Sequence, residues 1–331
     1  MFTRTILVSG VLAFAAAIGS VPADAKKMIT FDPAGSTATY VFSINRAGAV
    51  AGYYTDSTYA EHGFVRASDG TITAFDPTGA VNTVAYGINS AGAIAGSWWD
   101  SNLAAHGFLR ASDGTITSFD PQGSVSTLAT SIDHAGAIAG YYADSNFVEH
   151  GFVRAPDGTV ATFDPPGSTG TIVNGINATG SVVGFYNDSN YAEHGFLRAP
   201  DGTITEFDPE GSSDTQPNAI NGAGWIAGAY INGVDHGFLR APDGTITEID
   251  PAGSTYTFPA SIVHKGAIAG SYEDSNYVQH GFLRTPDGTF KTFDPAGSIN
   301  TTATSMNNKR SVAGYYLDSN YVTHGFLRSR Q

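Results

Sequence analysis

Seven histidines recur at fixed spacing in this 331-residue chain. They are His62, His106, His150, His194, His236, His280 and His324, each in the tripeptide His-Gly-Phe. The interval is 44 residues except for one of 42, between His194 and His236. Histidine ligates metals and exchanges its proton near neutral pH. Zinc binding, however, needs several ligands converging on one ion, and seven equivalent histidines do not obviously converge. A residue present in every repeat holds the repeats together, so each histidine is expected to be hydrogen-bonded within its own repeat. The seven arginines four residues on (Arg66, Arg110, Arg154, Arg198, Arg240, Arg284 and Arg328) are read the same way. So is the aspartate of a second tag, Phe-Asp-Pro, which starts at Phe31, Phe75, Phe119, Phe163, Phe207 and Phe293, with Ile249-Asp250-Pro251 as a variant. Turn and inter-repeat hydrogen bonds are expected of both.

A short segment before each histidine offers different chemistry. It reads Asp56-Ser57-Thr58-Tyr59, Asp100-Ser101-Asn102-Leu103, Asp144-Ser145-Asn146-Phe147, Asp188-Ser189-Asn190-Tyr191, Asp274-Ser275-Asn276-Tyr277 and Asp318-Ser319-Asn320-Tyr321. In one reading the aromatics are platforms for sugar rings, and the Asp and Asn side chains meet sugar hydroxyls. The ligand-binding set is then Asp56, Tyr59, Asp100, Asp144, Phe147, Asp188, Tyr191, Asp274, Tyr277, Asp318 and Tyr321. In the other reading Asp-Ser-Asn is turn chemistry and the aromatic folds back onto the outer strand. A calcium variant takes Asp188, Asn190 and Glu193 as oxygen ligands, without the full Asp-x-Asn-x-Asp-Gly pattern. No nucleophile elbow and no phosphate-binding glycine loop is present.

These residues need elements to position them. Within residues 83–120, a strand over 84–89, a turn, a strand over 93–99, a longer loop, a strand over 106–110, an Asp-Gly hairpin turn and a strand over 115–119 follow in order. Four short strands cannot bury a core alone, and a period near 44 with several strands per unit is the mark of a β-propeller. The expected fold is all-β, a seven-bladed β-propeller of four-stranded antiparallel blades. Pro217 and Pro259 fall in first strands, which makes that strand the edge lining a central channel. Channel residues then vary from blade to blade: Phe42, Tyr86, Thr130, Asn174, Asn218, Ala260 and Thr304. Such irregular positions matter because a single ligand site needs asymmetry. Trp98-Trp99, Trp225 and the shortened loop at Tyr230–Asp235 are further departures from the repeat. The segment Met28–Asp32 matches a fourth strand and His324–Arg328 a third, so the last blade is expected to be closed by the N-terminal strand.

Residues 1–25 read as a secretory signal peptide: Arg4, an apolar stretch from Ile6 to Val21, and a small-x-small site at Ala23-Asp24-Ala25. Residues 26–331 then form a single domain, secreted or periplasmic, with no membrane span after cleavage. There are no cysteines, so neither disulfides nor thiolate chemistry is available. The formal charge of −14 opposes nucleic-acid binding.

The pattern Asn89-x-x-Gly92-x-x-x-Gly96 followed by His106-Gly107-Phe108 resembles the HAF-type extracellular repeat family of bacteria. It recurs as Asn45/Gly48/Gly52/His62 and Asn177/Gly180/Gly184/His194. That family usually carries His-Ala-Phe, so the glycine is a departure. The resemblance implies a secreted or surface propeller-like repeat protein.

The sequence thus predicts a monomeric, non-catalytic binding or scaffolding propeller. Its partner is an extracellular glycan or protein, and no cofactor beyond the calcium variant is called for. The alternative is an extracytoplasmic hydrolase or lyase working at the mouth of the channel.

Overall fold

The computed structural model describes residues 28–263 and 266–329; the signal-peptide reading and His264 fall outside them. Among the described residues there is no helix of membrane-spanning length, and 28 strands carry the fold. In the first complete unit the strands are Ala38–Ile44, Val50–Thr55, Glu61–Arg66 and Ile72–Phe75, hydrogen-bonded in that order. The pattern continues through residues 82–119, 126–163, 170–207, 214–248 and 256–293, here called blades 2 to 6.

Blade 7 is composite. Its strands Ser298–Met306, Val312–Asp318 and Thr323–Arg328 are completed by the N-terminal strand Met28–Phe31. The register is antiparallel, Met28 opposite Arg328 and Phe31 opposite Gly325. The inner strands close as well. Thr304 Oγ1 donates to Val41 O at 2.8 Å, and Asn307 Nδ2 donates to Asn45 O at 3.0 Å. Blades 5 and 6 are formally one eight-stranded sheet, joined by a single parallel bridge between Asp235 and Tyr256.

Each first strand carries a β-bulge, so two residues oppose one on the second strand, as at Val41/Ser43 and Leu128/Ser131. The bulge leaves a side chain facing the next blade. Ser43 Oγ accepts from Ile88 N, Ser131 Oγ from Ile176 N, and Ser305 Oγ from Ile44 N. It also forces glycine on the second strand: a Cβ at Gly52 would lie 1.9 Å from Tyr40 O.

Away from the axis the blades diverge and larger side chains fill the space. The phenylalanine of every His-Gly-Phe (Phe64, Phe108, Phe152, Phe196, Phe238, Phe282, Phe326) is fully buried. Each packs edge-on against the phenylalanine ending the fourth strand of the preceding blade, as with Phe75 and Phe108 (5.9 Å, 75°). The exception is Phe282, where that residue is Ile249.

The N-terminal strand makes the same contact, Phe31 against Phe64 at 6.2 Å and 74°. Phe31→Ala is therefore expected to lower the unfolding free energy by about 2–4 kcal/mol, a loss similar to that of Phe75→Ala. Denaturant titration decides it: a loss under about 1 kcal/mol for Phe31→Ala alone would mean that this strand does not close the ring.

Candidate functional site

The strands of a blade are joined by three hairpins that share one turn geometry. In blade 1, Asn45 N donates to Ala49 O and Gly48 N to Asn45 O. Ala67, Gly70 and Thr71 repeat this pattern, and so do Asp56, Tyr59 and Ala60. The segment read from sequence as a longer loop is thus as tight as the other two. Its fourth residue must adopt left-handed φ, which glycine supplies at Gly48 (96°) and Gly70 (99°). In the turn between strands two and three it is never glycine in six blades. Tyr59, Leu103, Phe147, Tyr191, Tyr277 and Tyr321 hold φ of 61–67° there. All six are 72–86% exposed. The conformation aims the side chain off the blade into water, so the expected folding back onto the outer strand does not occur. Leu103 belongs to this ring although only its aromatic counterparts stood out in the sequence. Blade 5 has lost two residues, and Gly233 (φ 78°) stands at the tip of its hairpin. The long connection between blades emerges on the same face, where Thr37 Oγ1 donates to Asp56 O.

The aspartates of this turn organise its backbone. Asp56 Oδ1 accepts from Thr58 N, Thr58 Oγ1 and Ala60 N at 2.7, 2.7 and 3.0 Å. These bonds, those from Thr58 foremost, pull its carboxyl down to about 2. Asp100, Asp144, Asp188, Asp274 and Asp318 are likewise lowered, first by the backbone N–H four residues on. They are the acceptors that hold the turn. The residues of the calcium variant have protein partners. Asn190 Nδ2 donates to Asp188 Oδ2 (3.2 Å), and Glu193 reaches into blade 5 to accept from Gln216 Nε2 (2.5 Å).

Each histidine is bonded inside its blade, as the periodicity predicts. Nδ1 lies 2.6–2.8 Å from the aspartate of Asp-Pro, His62 with Asp76 through to His324 with Asp32. In six blades Nε2 faces the turn aspartate at 3.5–4.0 Å. The ring lies against Tyr54 or its counterpart, with Trp98 closest to His106 at 4.6 Å. Glu206 joins His194 and Asp208, and Glu248 joins His236 and Asp250, so that three ligand-type groups lie within 4.8 Å of one another. Those atoms are already spent on one another and on the hydroxyls of Tyr186 and Tyr230.

The arginines bridge blades in a way that hydrogen-bond reasoning missed. Arg110 lies over Phe75 of the preceding blade, Cζ 4.9 Å from the ring centroid, and Arg66 lies at the same distance over Phe31. Six of the seven repeat this cation–π contact. Arg284, where the preceding blade offers Ile249 in place of phenylalanine, lies over Phe290 of its own blade, at 5.9 Å.

The first strands bring seven of their residues around shared cavities. Phe42, Tyr86, Thr130, Asn174, Asn218 and Thr304 line both the mouth on the long-connection face and the space beneath it. Sequence reasoning missed what stands beside them. Tyr40, Tyr53 and Tyr315 stack with Phe42 and Tyr86 into one arc of rings. The signal was present as the tyrosine pairs Tyr53-Tyr54 and Tyr315-Tyr316, but which member faces the channel depends on strand register.

No family model matches the chain, and no curated protein matches it. Among solved structures it is similar to a streptogramin B lyase, with a TM-score of 0.61 and 15% identity over 92% of this chain and 98% of that one. Virginiamycin B lyase from Staphylococcus aureus gives 0.61 and 14% over 91% and 99%. The β-propeller domain of the Trilobed protease from Pyrococcus furiosus gives 0.61 and 10% over 88% and 95%. That domain is described as having an open velcro topology; here the N-terminal strand fastens the ring. The likeness, together with the strand pairing, defines the class: a β-propeller.

Two outcomes follow from this geometry. His194 is held above its ordinary value, first by its hydrogen bond to Asp208 and against the effect of burial. A raised folded pKa gives stability that is complete below the ordinary value of 6.5 and is lost as pH rises through the folded one. The destabilisation caused by His194→Gln should therefore be larger at pH 5.5 than at pH 8, and an equal or reversed difference in denaturant melts would count against the latch. Ile249→Phe should return Arg284 to the inter-blade position and raise stability by about 0.5–1 kcal/mol. A loss of stability in the same melts would show that this slot has closed around isoleucine.

Proposed function

We propose that this chain is an extracytoplasmic binding propeller that holds a carbohydrate polymer against its long-connection face. The observation that carries this reading is the ring of six large side chains set in left-handed turns. Glycine fills the equivalent position in the other two turns of nearly every blade, because a non-glycine residue there costs about 1–2 kcal/mol. A side chain kept at that cost, and kept in water, has its use outside the fold.

Aromatic faces suit this ligand. Their electron-rich π surface meets the C–H groups of a sugar ring. One such contact is weak, but several on a rigid ring act together on a repeating ligand through effective concentration. Between Leu103 and Phe147 the rim also forms a groove of about 470 Å³, with Val125, Ser126 and Glu149 on its walls. A sugar lying there meets two apolar platforms, a hydroxyl and a carboxylate. Binding is favoured over the alternative of a hydrolase or lyase because the mouth of the channel is lined by aromatic, amide, hydroxyl and small side chains. The histidine–aspartate pairs, the other acid–base candidates, recur in every blade and are bonded to each other. The signal-peptide reading of residues 1–25 and the HAF-type resemblance agree with an extracytoplasmic location.

The test is a glycan array and a pull-down on insoluble polysaccharides with the double variant Tyr191→Gly, Tyr277→Gly. Affinity is expected to fall at least about tenfold, while the unfolding free energy stays level or rises by up to about 1 kcal/mol per site. Unchanged binding, or a clear loss of stability, would make the ring a structural feature and sink the proposal.

A further inference from the structure

The mouth of the channel is a second concave feature, separate from the rim, and it is strongly asymmetric. Phe42, Tyr86 and Tyr315 of blades 1, 2 and 7 line it together with Phe258 of blade 6, and Tyr40 and Tyr53 connect Tyr315 to Phe42 in one chain of ring contacts. Tyr315 meets Tyr40 at 5.1 Å, Tyr40 stacks on Tyr53 at 4.7 Å, Tyr53 meets Phe42 at 5.8 Å and Phe42 meets Tyr86 at 5.6 Å. Blades 3, 4 and 5 contribute Thr130, Asn174 and Asn218 to the opposite wall, and the cavity between measures about 380 Å³. That size suits a small molecule.

The polar wall is rich in acceptors because its donors are used elsewhere. Thr130 Oγ1 donates to Val173 O at 2.8 Å. Asn174 Nδ2 donates to Pro217 O at 3.0 Å, and Asn218 Nδ2 to Pro259 O at 3.1 Å. Two of the three acceptor carbonyls belong to residues where a proline breaks the inner edge, so these bonds tie neighbouring first strands. The amide oxygens of Asn174 and Asn218 receive no hydrogen bond from the described residues.

Charge points the same way. No lysine, arginine or histidine lines the mouth, and the chain as a whole carries −14. Burial, and after it the Glu61 carboxylate and neighbouring tyrosines, pushes the Tyr53 hydroxyl up. Tyr86 is raised by burial, then by Tyr141 and Glu61. Burial holds the Glu61 carboxyl itself above its ordinary value. No basic side chain pairs with it among the ion pairs of the described residues.

A pocket with π faces on one wall, free amide oxygens on the other and unbalanced negative charge nearby selects against anions and in favour of a cation that carries both carbon and N–H groups. We propose that the channel mouth binds a small alkylammonium ion, its carbon chain and charge against the Phe42–Tyr86 arc and its N–H groups toward Asn174 and Asn218. This site is independent of the carbohydrate reading, which rests on the rim.

Calorimetric titration of the full mature chain with n-butylammonium, tetramethylammonium and the neutral 1-butanol tests it. Butylammonium should bind saturably, tetramethylammonium more weakly because it has no N–H, and butanol at least about tenfold more weakly than butylammonium. Tyr86→Leu and Phe42→Leu should each cost about fivefold or more, whereas Tyr86→Phe, which keeps the ring, should stay within about threefold of wild type. Having both leucine variants guards against one that fails to fold, as judged by its melt. The rim variant Tyr191→Gly, Tyr277→Gly should bind butylammonium as wild type does, so failure at the mouth and failure at the rim are read separately. Equal affinity for butanol, no effect of either leucine variant, or no saturable binding of butylammonium would each overturn the assignment.

Discussion

Blade-to-blade cohesion depends, in six of the seven blades, on one aromatic ring, the phenylalanine that ends the fourth strand. Phe119 shows the arrangement. Its ring meets the buried Phe152 of the next blade edge-on at 6.0 Å and is covered by that blade's Arg154 at 4.9 Å. The edge-on pair and the cation on the ring face use opposite parts of the quadrupole, so both contacts are satisfied at once. The glycine of His-Gly-Phe belongs to the same unit. A Cβ at Gly151 would lie 2.7 Å from the Phe163 ring within its own blade. Where this phenylalanine occupies the slot, alanine would need the ring to move.

This interlock accounts for what repeats and what varies. The third strand is packed between neighbours that expect one shape, and the outer two strands stay nearly identical around the ring. The aspartate after that phenylalanine also serves two partners. Asp164 accepts from His150 Nδ1 through Oδ2 and from Thr171 of the next blade through Oδ1, at 2.7 Å each. The channel positions face open space and are released from this demand. Phe42, Tyr86 and Ala260 there lack the strand-to-strand hydrogen bond that Thr130, Asn174, Asn218 and Thr304 make. Where the inner hydrogen bond is given up in blades 1 and 2, aromatic side chains take its place.

Much of this was legible in the sequence. The 44-residue period gave the blade, Pro217 and Pro259 gave its inner edge, and the match of Met28–Phe31 to a fourth strand gave the closure. These features depend on local pattern and on counting. The roles of the arginines and of the turn residues were harder to read. An arginine at the end of a strand declares the turn carbonyl beside it, as Arg110 Nη1 donating to Ala111 O, but not the ring it covers, because that ring comes from the preceding blade. Asp-Ser-Asn-Tyr looks like a loop of ordinary turn residues. Only the backbone geometry reveals that its fourth residue sits where glycine belongs, and so that Tyr59 or Tyr191 points into water rather than onto the blade.

The loss of two residues in blade 5 bears on both surfaces. It removes the exposed side chain from the rim, leaving Gly233 between Tyr191 and Tyr277, and it lets the third strand run on until Asp235 bridges to Tyr256. The rim is therefore an interrupted circle with a defined start and end. In the channel, aromatic rings line the mouth from blades 6, 7, 1 and 2, while blade 5 lends Asn218 to the opposite wall. A ring of near-identical units thus acquires a direction on its outer rim and another in its channel. Both arise at positions where no neighbouring blade dictates the side chain, so asymmetry can accumulate there without loosening the interlock that holds the ring.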